Sequence, residues 1–97
     1  MIEKGNKLID YLEKPRAIRT LLCLLNSQNK GLDELLQSIG GSKSTGMTRI
    51  SELIALGLVT KKASETEKRK MLYCLNETGV KIAREIQKVI GLYKRKK

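Results

Sequence analysis

The sequence predicts one mainly α-helical domain with a small β-hairpin and a C-terminal helix, an α+β fold. Two patterns predict this class: apolar residues recur at helical spacing along most of the chain, and two short strand-like segments flank a charged turn. The length gives a third observation. A chain of 97 residues, of which 40% are hydrophobic, is long enough for one core and too short for two domains.

The first strongly periodic segment follows Pro15. Its apolar residues recur at spacings of three and four, the period of a helix with one buried face. Pro15 suits the first helical position because its missing amide hydrogen is not needed there. Cys23 and Leu24 widen the apolar face, so we expect this helix at the centre of the domain. The periodic residues are Ile18, Leu21, Leu22 and Leu25.

The next two segments predict a pair of helices joined by a short turn. Residues 32–39 carry an apolar face and end at Gly40 and Gly41, which is typical of a helix C-terminus. Ser42 is a suitable N-cap for the following helix. We expect its buried side to contain Ile50, Leu53 and Gly57, with Met47 and Ile54 beside them.

The opposite side of this third helix is small and polar. Such a surface fits a nucleic-acid groove, where hydroxyl groups bond to phosphates or base edges. A first turn rich in Ser and Thr is also ordinary helix capping, so this pattern alone favours neither explanation. Gly46 is expected to destabilise the helix by about 1 kcal/mol relative to Ala and to allow a closer backbone approach. At 100° per residue the outer side presents Ser44, Thr45, Thr48, Glu52 and Ala55, with Lys43 at the start and Arg49 on the flank.

The segments LVTKKA and RKMLYCL favour β-strands, and the polar stretch between them predicts a hairpin with a charged tip. Glu65 and Glu67 lie at the tip, so the surface is of mixed charge. Lysines also protect solvated sheet edges from pairing, which is the alternative explanation for this pattern. The basic residues on the two arms are Lys61, Lys62, Lys68, Arg69 and Lys70.

The last segment predicts a helix that Asn76 or Thr78 can cap. Its apolar residues form a heptad-like seam, which predicts a dimer interface, although packing on the domain's own core is the alternative for so short a seam. The N-terminal residues Ile2, Leu8, Ile9 and Leu12 offer a second candidate interface. The predicted dimer interface consists of Ile82, Ile86, Val89, Ile90 and Tyr93.

The composition indicates a polyanionic partner and argues against catalysis and metal binding. Twenty Lys and Arg against ten Asp and Glu give a formal charge of +10. The chain has no His, and Cys23 and Cys74 lie far apart in apolar contexts, so it has neither a zinc-ligand spacing nor a usual general base. The stretch GGSKST lacks the spacing of a phosphate-binding loop. We therefore expect no enzymatic activity, no metal site, no cofactor and no small-molecule ligand.

The N-terminal segment, residues 1–14, is polar and of mixed charge and is expected to form a short helix. It lacks the continuous apolar stretch of a signal peptide, and no run in the chain approaches membrane-spanning length. We therefore expect a cytoplasmic, nucleoid-associated protein with no membrane partner.

The order helix, helix, helix, hairpin, helix resembles a winged helix-turn-helix domain over residues 15–79. The stretch GLDELLQSIGGSKSTGMTRISELIALGLVTKK resembles the MarR, ArsR and PadR-like transcription regulators, including the junction Leu53, Gly57, Leu58 and Val59 before the wing. The stretch YCLNETGVKIA is similar to the return strand and following turn of these families, with Asn76 where they usually carry Thr. LEKPRAIRTLLCLL is similar to the first helix of the ArsR-like group.

The resemblance implies that a recognition helix, residues 42–57, enters the major groove and that a wing, residues 58–75, contacts the backbone or the minor groove. A C-terminal dimerisation helix with a basic tail, residues 80–97, is similar to that of small archaeal DNA-binding proteins. The implied DNA contacts are Lys43, Ser44, Thr45, Thr48 and Arg49 of the helix and Lys61, Lys62, Lys68, Arg69 and Lys70 of the wing.

We therefore expect a homodimeric, sequence-specific double-stranded DNA-binding protein that regulates transcription. The alternatives are a winged-helix protein-interaction module in a larger assembly and a non-specific, chromatin-like DNA binder. An RNA partner is less expected, because only three aromatic residues, all Tyr, are available to stack on bases.

Overall fold

A computed structural model of the protein describes residues 2–26, 31–65 and 70–95. Within these residues the chain forms five α-helices and a two-stranded antiparallel sheet. This order confirms the predicted class, a mainly α-helical domain with a small hairpin and a C-terminal helix. The elements are α1 (Ile2–Leu12), α2 (Ala17–Asn26), α3 (Leu32–Ile39), α4 (Lys43–Ala55), β1 (Val59–Ala63), β2 (Met71–Leu75) and α5 (Glu77–Arg95).

The core is built around α2, as the broad apolar face of this helix predicts. Leu21 and Leu24 of α2 are fully buried, and so are Leu35 of α3, Leu53 of α4 and Ala83 of α5. Burying a Leu side chain stabilises a fold by about 1.5–3 kcal/mol. The helix α2 contacts each of the other four helices. Each of those helices therefore has one side packed on α2, and its solvent-exposed residues lie on its other sides.

The helix α2 begins at Ala17, later than the predicted start at Pro15. Residues 13–16 form a turn, in which the Ala17 amide donates to the carbonyl oxygen of Lys14 at 3.2 Å. Arg16 adopts a φ of 65°, in the left-handed region that residues with side chains rarely occupy. Its guanidinium reaches α3, where Nη1 donates to the carbonyl oxygen of Ile39 at 3.0 Å. The apolar period of α2 does not show this turn, because the turn is fixed by a contact with another helix.

The turn between α3 and α4 uses the residues that the sequence indicated. Gly40 and Gly41 have φ values of 78° and 72°, which glycine adopts without steric cost. Ser42 Oγ accepts a hydrogen bond from the Thr45 amide at 3.1 Å, so Ser42 is the N-cap and the helix itself starts at Lys43. The start of α4 is thereby fixed relative to the end of α3.

Gly46 lies on the buried side of α4 and not on its outer side. A Cβ atom at this position would lie 2.6 Å from Leu36 Cδ2 of α3. The glycine therefore allows α3 and α4 to pack closely against each other, so the closer backbone approach expected at Gly46 is to a neighbouring helix of the same chain. The reason is the crossing of two helices, which the pattern of one helix does not contain.

The hairpin is attached to the beginning of α3. Its strands β1 and β2 pair in antiparallel register along their full lengths. An isolated bridge joins Gly31 to Leu72 of β2, and Lys70 Nζ lies 3.5 Å from Glu34 Oε1. These contacts fix the start of β2, near the tip of the hairpin, relative to the beginning of α3.

The helix α5 begins at Glu77 with Asn76 as its cap, one of the two caps that the sequence predicted. The predicted dimerisation segment, residues 80–97, starts within this helix. The Gly79 amide donates to Asn76 Oδ1 at 2.8 Å. The last residues of the predicted segment, 96–97, lie outside the described residues. Gly79 is buried, and a Cβ atom there would lie 2.5 Å from the carbonyl oxygen of Leu58. The glycine therefore lets the first turn of α5 pack against the chain that leads into β1.

Candidate nucleic-acid interface

The outward face of α4 consists of small polar side chains with a lysine at its start. Lys43, Ser44, Thr48 and Ser51 are all exposed. Thr48 Oγ1 donates to the carbonyl oxygen of Ser44 at 2.9 Å, so the lone pairs of this hydroxyl remain as acceptors. Such a face can approach a partner closely and accept hydrogen bonds from it, for example from the amino groups on base edges.

Ser51 belongs to this face but was not among the predicted contacts. It lies seven residues after Ser44, so two helical turns place both on one line, a signal that the sequence contains. Met47 and Ile54, which were expected beside the buried side, are 48% and 39% exposed. They form an apolar edge along the face, because the buried stripe around Leu53 is narrower than predicted.

Two of the predicted helix contacts, Thr45 and Arg49, lie off the exposed face. Thr45 is half-buried, and its Oγ1 accepts a hydrogen bond from Ser42 Oγ at 2.8 Å. Only 12% of the Arg49 side chain is exposed, and its Nε lies 3.3 Å from Glu52 Oε1. The contact of Thr45 and Arg49 with DNA stays a prediction. In the structure Thr45 bonds within the helix cap, and Arg49 forms an ion pair with Glu52.

Arg49 and Glu52 are part of a cluster that joins α4 to the end of α1. Glu52 Oε2 pairs with Lys14 Nζ, and Tyr11 Oη donates to the carbonyl oxygen of Arg49 at 3.2 Å. Burial, and secondarily the negative charge of Glu52, raises the pKa of Tyr11 well above its usual value, so its phenol stays a neutral donor near pH 7. Among the described residues, Arg49 Nε and Glu52 Oε1 are buried without an aligned hydrogen bond, so charge attraction holds this pair.

The hairpin carries part of the predicted basic surface. Lys61 and Lys62 are exposed on β1. Because successive strand residues point to opposite sides, these two lysines lie on opposite faces of the hairpin. Lys70 is half-buried and pairs with Glu34, so part of its charge is neutralised within the fold. The other predicted wing contacts, Lys68 and Arg69, lie outside the described residues.

The predicted dimer stripe on α5 divides into a packed part and an exposed part. Ile82 and Ile86 are half-buried and pack against the core. Val89 and Tyr93 are 65% and 75% exposed, and Ile90 is also exposed, although less so. The first residues of the stripe therefore pack internally, and its last residues remain accessible, for which the dimer interface stays a prediction.

An apolar groove between α1 and α5 continues this stripe. It has a volume of about 320 Å³ and is lined by Leu12 of α1 and by Ile82, Ile86 and Val89 of α5. Leu12 of the N-terminal candidate interface therefore lies in one groove with Ile82, Ile86 and Val89 of the C-terminal one. Accessible apolar surfaces of this kind commonly mark a contact with another macromolecule.

The described residues also bear on membranes and metals. None of the described helices is both long and apolar enough to cross a membrane. Within the described ranges, no group of His, Cys, Asp and Glu is arranged to hold a metal ion. Cys23 and Cys74 are half-buried on separate elements, α2 and β2.

Comparison with known proteins gives matches in structure but not in sequence. No protein-family model matches the chain, and no curated protein matches it. The S. aureus MepR–DNA complex matches with a TM-score of 0.74 at 15% identity, over 99% of this chain and 80% of MepR. Streptococcus pneumoniae FabT in complex with DNA matches with a TM-score of 0.77 at 16% identity, over 86% of this chain and 58% of FabT.

A third match is the homodimeric winged helix-turn-helix DNA-binding domain of Mb0332 from Mycobacterium bovis. It has a TM-score of 0.76 at 15% identity, over 99% of this chain and 86% of that domain. Identities this low establish the fold alone. The chain therefore has the winged helix-turn-helix fold that the sequence predicted, with α3 and α4 as the helix-turn-helix and β1 and β2 as the wing.

Proposed function

We propose that the protein is a homodimer that binds double-stranded DNA and regulates transcription in the cytoplasm, and that it is not an enzyme. The observation that carries this proposal is the exposed face of α4, a capped helix that presents a lysine and small hydroxyl residues. This helix is the second of the helix-turn-helix pair in a fold shared with MepR and FabT, both of which have been solved with DNA. Residues 15–79 form the DNA-binding domain.

In this proposal α4 is the recognition helix and contacts bases in the major groove. The major groove is about 12 Å wide and admits an α-helix. Ser44, Thr48 and Ser51 lie on the face that enters it, and the position of Lys43 at the positive end of the helix dipole suits a phosphate. Thr45 and Arg49 support the helix from its flanks and contact DNA less directly than the sequence suggested.

The wing contacts the DNA backbone or the minor groove. Lys61 and Lys62 are the exposed basic residues on its described part, and their opposite directions mean that one of them faces the duplex more directly. The proposed wing surface that contacts DNA also includes Lys68, Arg69 and Lys70. The formal charge of +10 supports a polyanionic partner over a neutral one.

Measuring the affinity for duplex DNA as a function of salt tests the DNA-binding proposal. If about four to six basic residues per protomer neutralise phosphates, log affinity should fall against log salt with a slope of about −7 to −11 for a dimer. Selection of bound sites from random duplexes should yield an inverted repeat with half-sites roughly 10 base pairs apart. Absence of duplex binding at low salt would favour a protein-interaction module, and binding without a preferred site would favour a chromatin-like protein.

The second copy binds, in this proposal, to the groove between α1 and α5 and to the exposed end of α5. These surfaces adjoin, because Leu12 and Val89 line the same groove. Residues 80–97 are the dimerisation segment, and residues 1–14 contribute Leu12 to it. The homodimeric state of the Mb0332 domain, which has the same fold, supports a homodimer but does not locate its interface.

Sedimentation of a Val89→Asp, Tyr93→Asp variant tests this dimer. Both side chains are largely exposed in the isolated chain, so the variant should fold, whereas two copies would bury unpaired carboxylates. We expect the mass of a monomer and much weaker duplex binding. Arg84→Asp is a control on the same helix, because Arg84 is exposed, does not line the groove and precedes the exposed end of α5, so it should leave the dimer mass unchanged. An unchanged mass in the double variant would place the interface elsewhere.

A further inference from the structure

We infer that the end of α1 and the turn after it, residues 11–16, position the recognition helix α4 through the side chains of Tyr11, Lys14 and Arg16. This inference rests on the proposed DNA-binding function and extends it to residues outside the DNA-contacting surface. None of the three was a predicted contact, and all three reach α4 or the turn that begins it.

Tyr11 and Lys14 hold the middle of α4. Tyr11 is 2% exposed, and its hydroxyl donates to the backbone carbonyl of Arg49 at 3.2 Å. Lys14 pairs with one carboxylate oxygen of Glu52, while the other oxygen lies 3.3 Å from Arg49 Nε. A backbone contact and a bridging carboxylate therefore tie α1 and the turn after it to the flank of α4, beside its exposed residues.

Arg16 holds the turn that precedes α4. Its Nη1 donates to the carbonyl oxygen of Ile39, the last residue of α3, at 3.0 Å. The same guanidinium lies against Gly40, where a Cβ atom would be 3.3 Å from Nη1, and still closer to Gly41. Arg16 itself has a left-handed backbone, with a φ of 65°, which is compatible with a side chain held in place by its contacts.

These contacts affect base reading more than overall attraction to DNA. A hydrogen bond to a base edge weakens steeply with misalignment, so it requires the helix to be held in position to within about 0.5 Å. Attraction between flexible lysines and phosphates tolerates larger displacements, because it is long-ranged and independent of sequence. Loosening α4 should therefore reduce discrimination between duplexes while leaving non-specific affinity unchanged.

The first test compares Lys14→Ala in the wild-type and Glu52→Gln backgrounds, on a preferred duplex and on a random one. We expect Lys14→Ala to weaken binding to the preferred duplex about fivefold and to leave random binding and the salt slope unchanged. In the Glu52→Gln background, Lys14→Ala should have little further effect, because its partner charge is absent. Lys7→Ala, at an exposed position on α1, is the matched control and should preserve discrimination.

A direct phosphate contact by Lys14 predicts a different result. Lys14→Ala would then weaken both duplexes, reduce the salt slope by about 1 per protomer, and do so equally in the Glu52→Gln background. That result would overturn the positioning role while leaving the proposed DNA-binding function intact.

The second test needs no DNA. Amide hydrogen exchange of the unbound protein should be about fivefold faster in α4 for Tyr11→Phe, and in the turn at residues 40–42 for Arg16→Ala, with no change in the hairpin. Unchanged exchange in α4 and the turn would overturn the inference whether or not the protein binds DNA. Faster exchange in a protein that shows no duplex binding would refute the proposed function and retain the mechanical link between α1 and α4.

Discussion

Substituting Gly79 by Ala should destabilise the protein, although alanine is the better helix former. The added Cβ would lie 2.5 Å from the carbonyl oxygen of Leu58 and 3.0 Å from Leu75 Cδ2. The Leu58 carbonyl cannot move freely, because it accepts a hydrogen bond from the Asn76 amide at 2.9 Å. Overpacking of this kind costs about 1–3 kcal/mol, and the helix preference for alanine offsets at most about 1 kcal/mol of it. With the full offset, we therefore expect a net loss of up to about 2 kcal/mol in the free energy of unfolding.

Gly91→Ala in the same helix is the matched control. A Cβ at Gly91 would meet no atom within 4 Å, so this change should raise stability by up to about 1 kcal/mol. Thermal unfolding followed by far-UV circular dichroism measures both variants, at one protein concentration because the proposed dimer would make Tm concentration-dependent. Each 1 kcal/mol corresponds to a shift of about 4–8 °C in a domain of this size. Equal shifts of the same sign in both variants would refute the steric explanation for Gly79.

Further predictions concern the recognition helix, the wing and Tyr11. Thr48→Ala should reduce discrimination between the preferred and random duplexes by about 1–3 kcal/mol in a competition assay, and unchanged discrimination would remove Thr48 from the base-reading face. Lys61→Ala with Lys62→Ala should weaken binding to both duplexes and reduce the dimer's salt slope by about 2–4; an unchanged slope would exclude these lysines from phosphate contact. Ser42→Ala should lower the free energy of unfolding by about 1 kcal/mol, measured by urea denaturation, because the α4 cap is lost, and equal stability would argue against the cap. The raised pKa of Tyr11 means that the unfolded chain releases this proton first as pH rises. The contribution of the Tyr11 phenol to the free energy of unfolding is therefore complete below about pH 10. Above that pH it is lost, by up to about 1.4 kcal/mol per pH unit. Tyr11→Phe should flatten this alkaline decrease, and an identical decrease in the variant would assign it to other groups.

The parts of the fold that the sequence predicted are those set by local chemistry. Ser42 caps α4 because its own side chain reaches an amide three residues away, and Gly40 ends α3 because glycine permits a positive φ. The broad apolar face of α2 required burial on several sides, which only the centre of the domain provides. The exposed positions Ser44 and Thr48 followed from helical geometry alone.

The parts that the sequence did not predict depend on contacts between elements. Arg49 is drawn away from the exposed face by Glu52, whose partner Lys14 is distant in sequence. Gly46 allows close packing between helices, and this role exists only because α3 crosses α4 at this position. The turn at Arg16 replaces the expected helix start at Pro15, because the guanidinium bonds to the end of α3. For Gly46 and Arg16 the deciding partner lies on another element, so no pattern within one segment contains it. The pair of Arg49 and Glu52 lies within α4, but its link to Lys14 does not.

The distribution of aromatic rings makes this protein well suited to spectroscopy. The chain has three Tyr and neither Trp nor Phe, so Tyr11, Tyr73 and Tyr93 supply all of its aromatic signals. Tyr11 lies in the contact between α1 and α4, Tyr73 is on the wing strand β2, and Tyr93 is on the exposed end of α5. Fluorotyrosine labelling should therefore give three resonances that observe the contact between α1 and α4, the wing and the exposed end of α5 separately. Dilution should shift the Tyr93 resonance and a duplex should shift that of Tyr73, so assembly and DNA binding can be followed in one sample without an introduced label site.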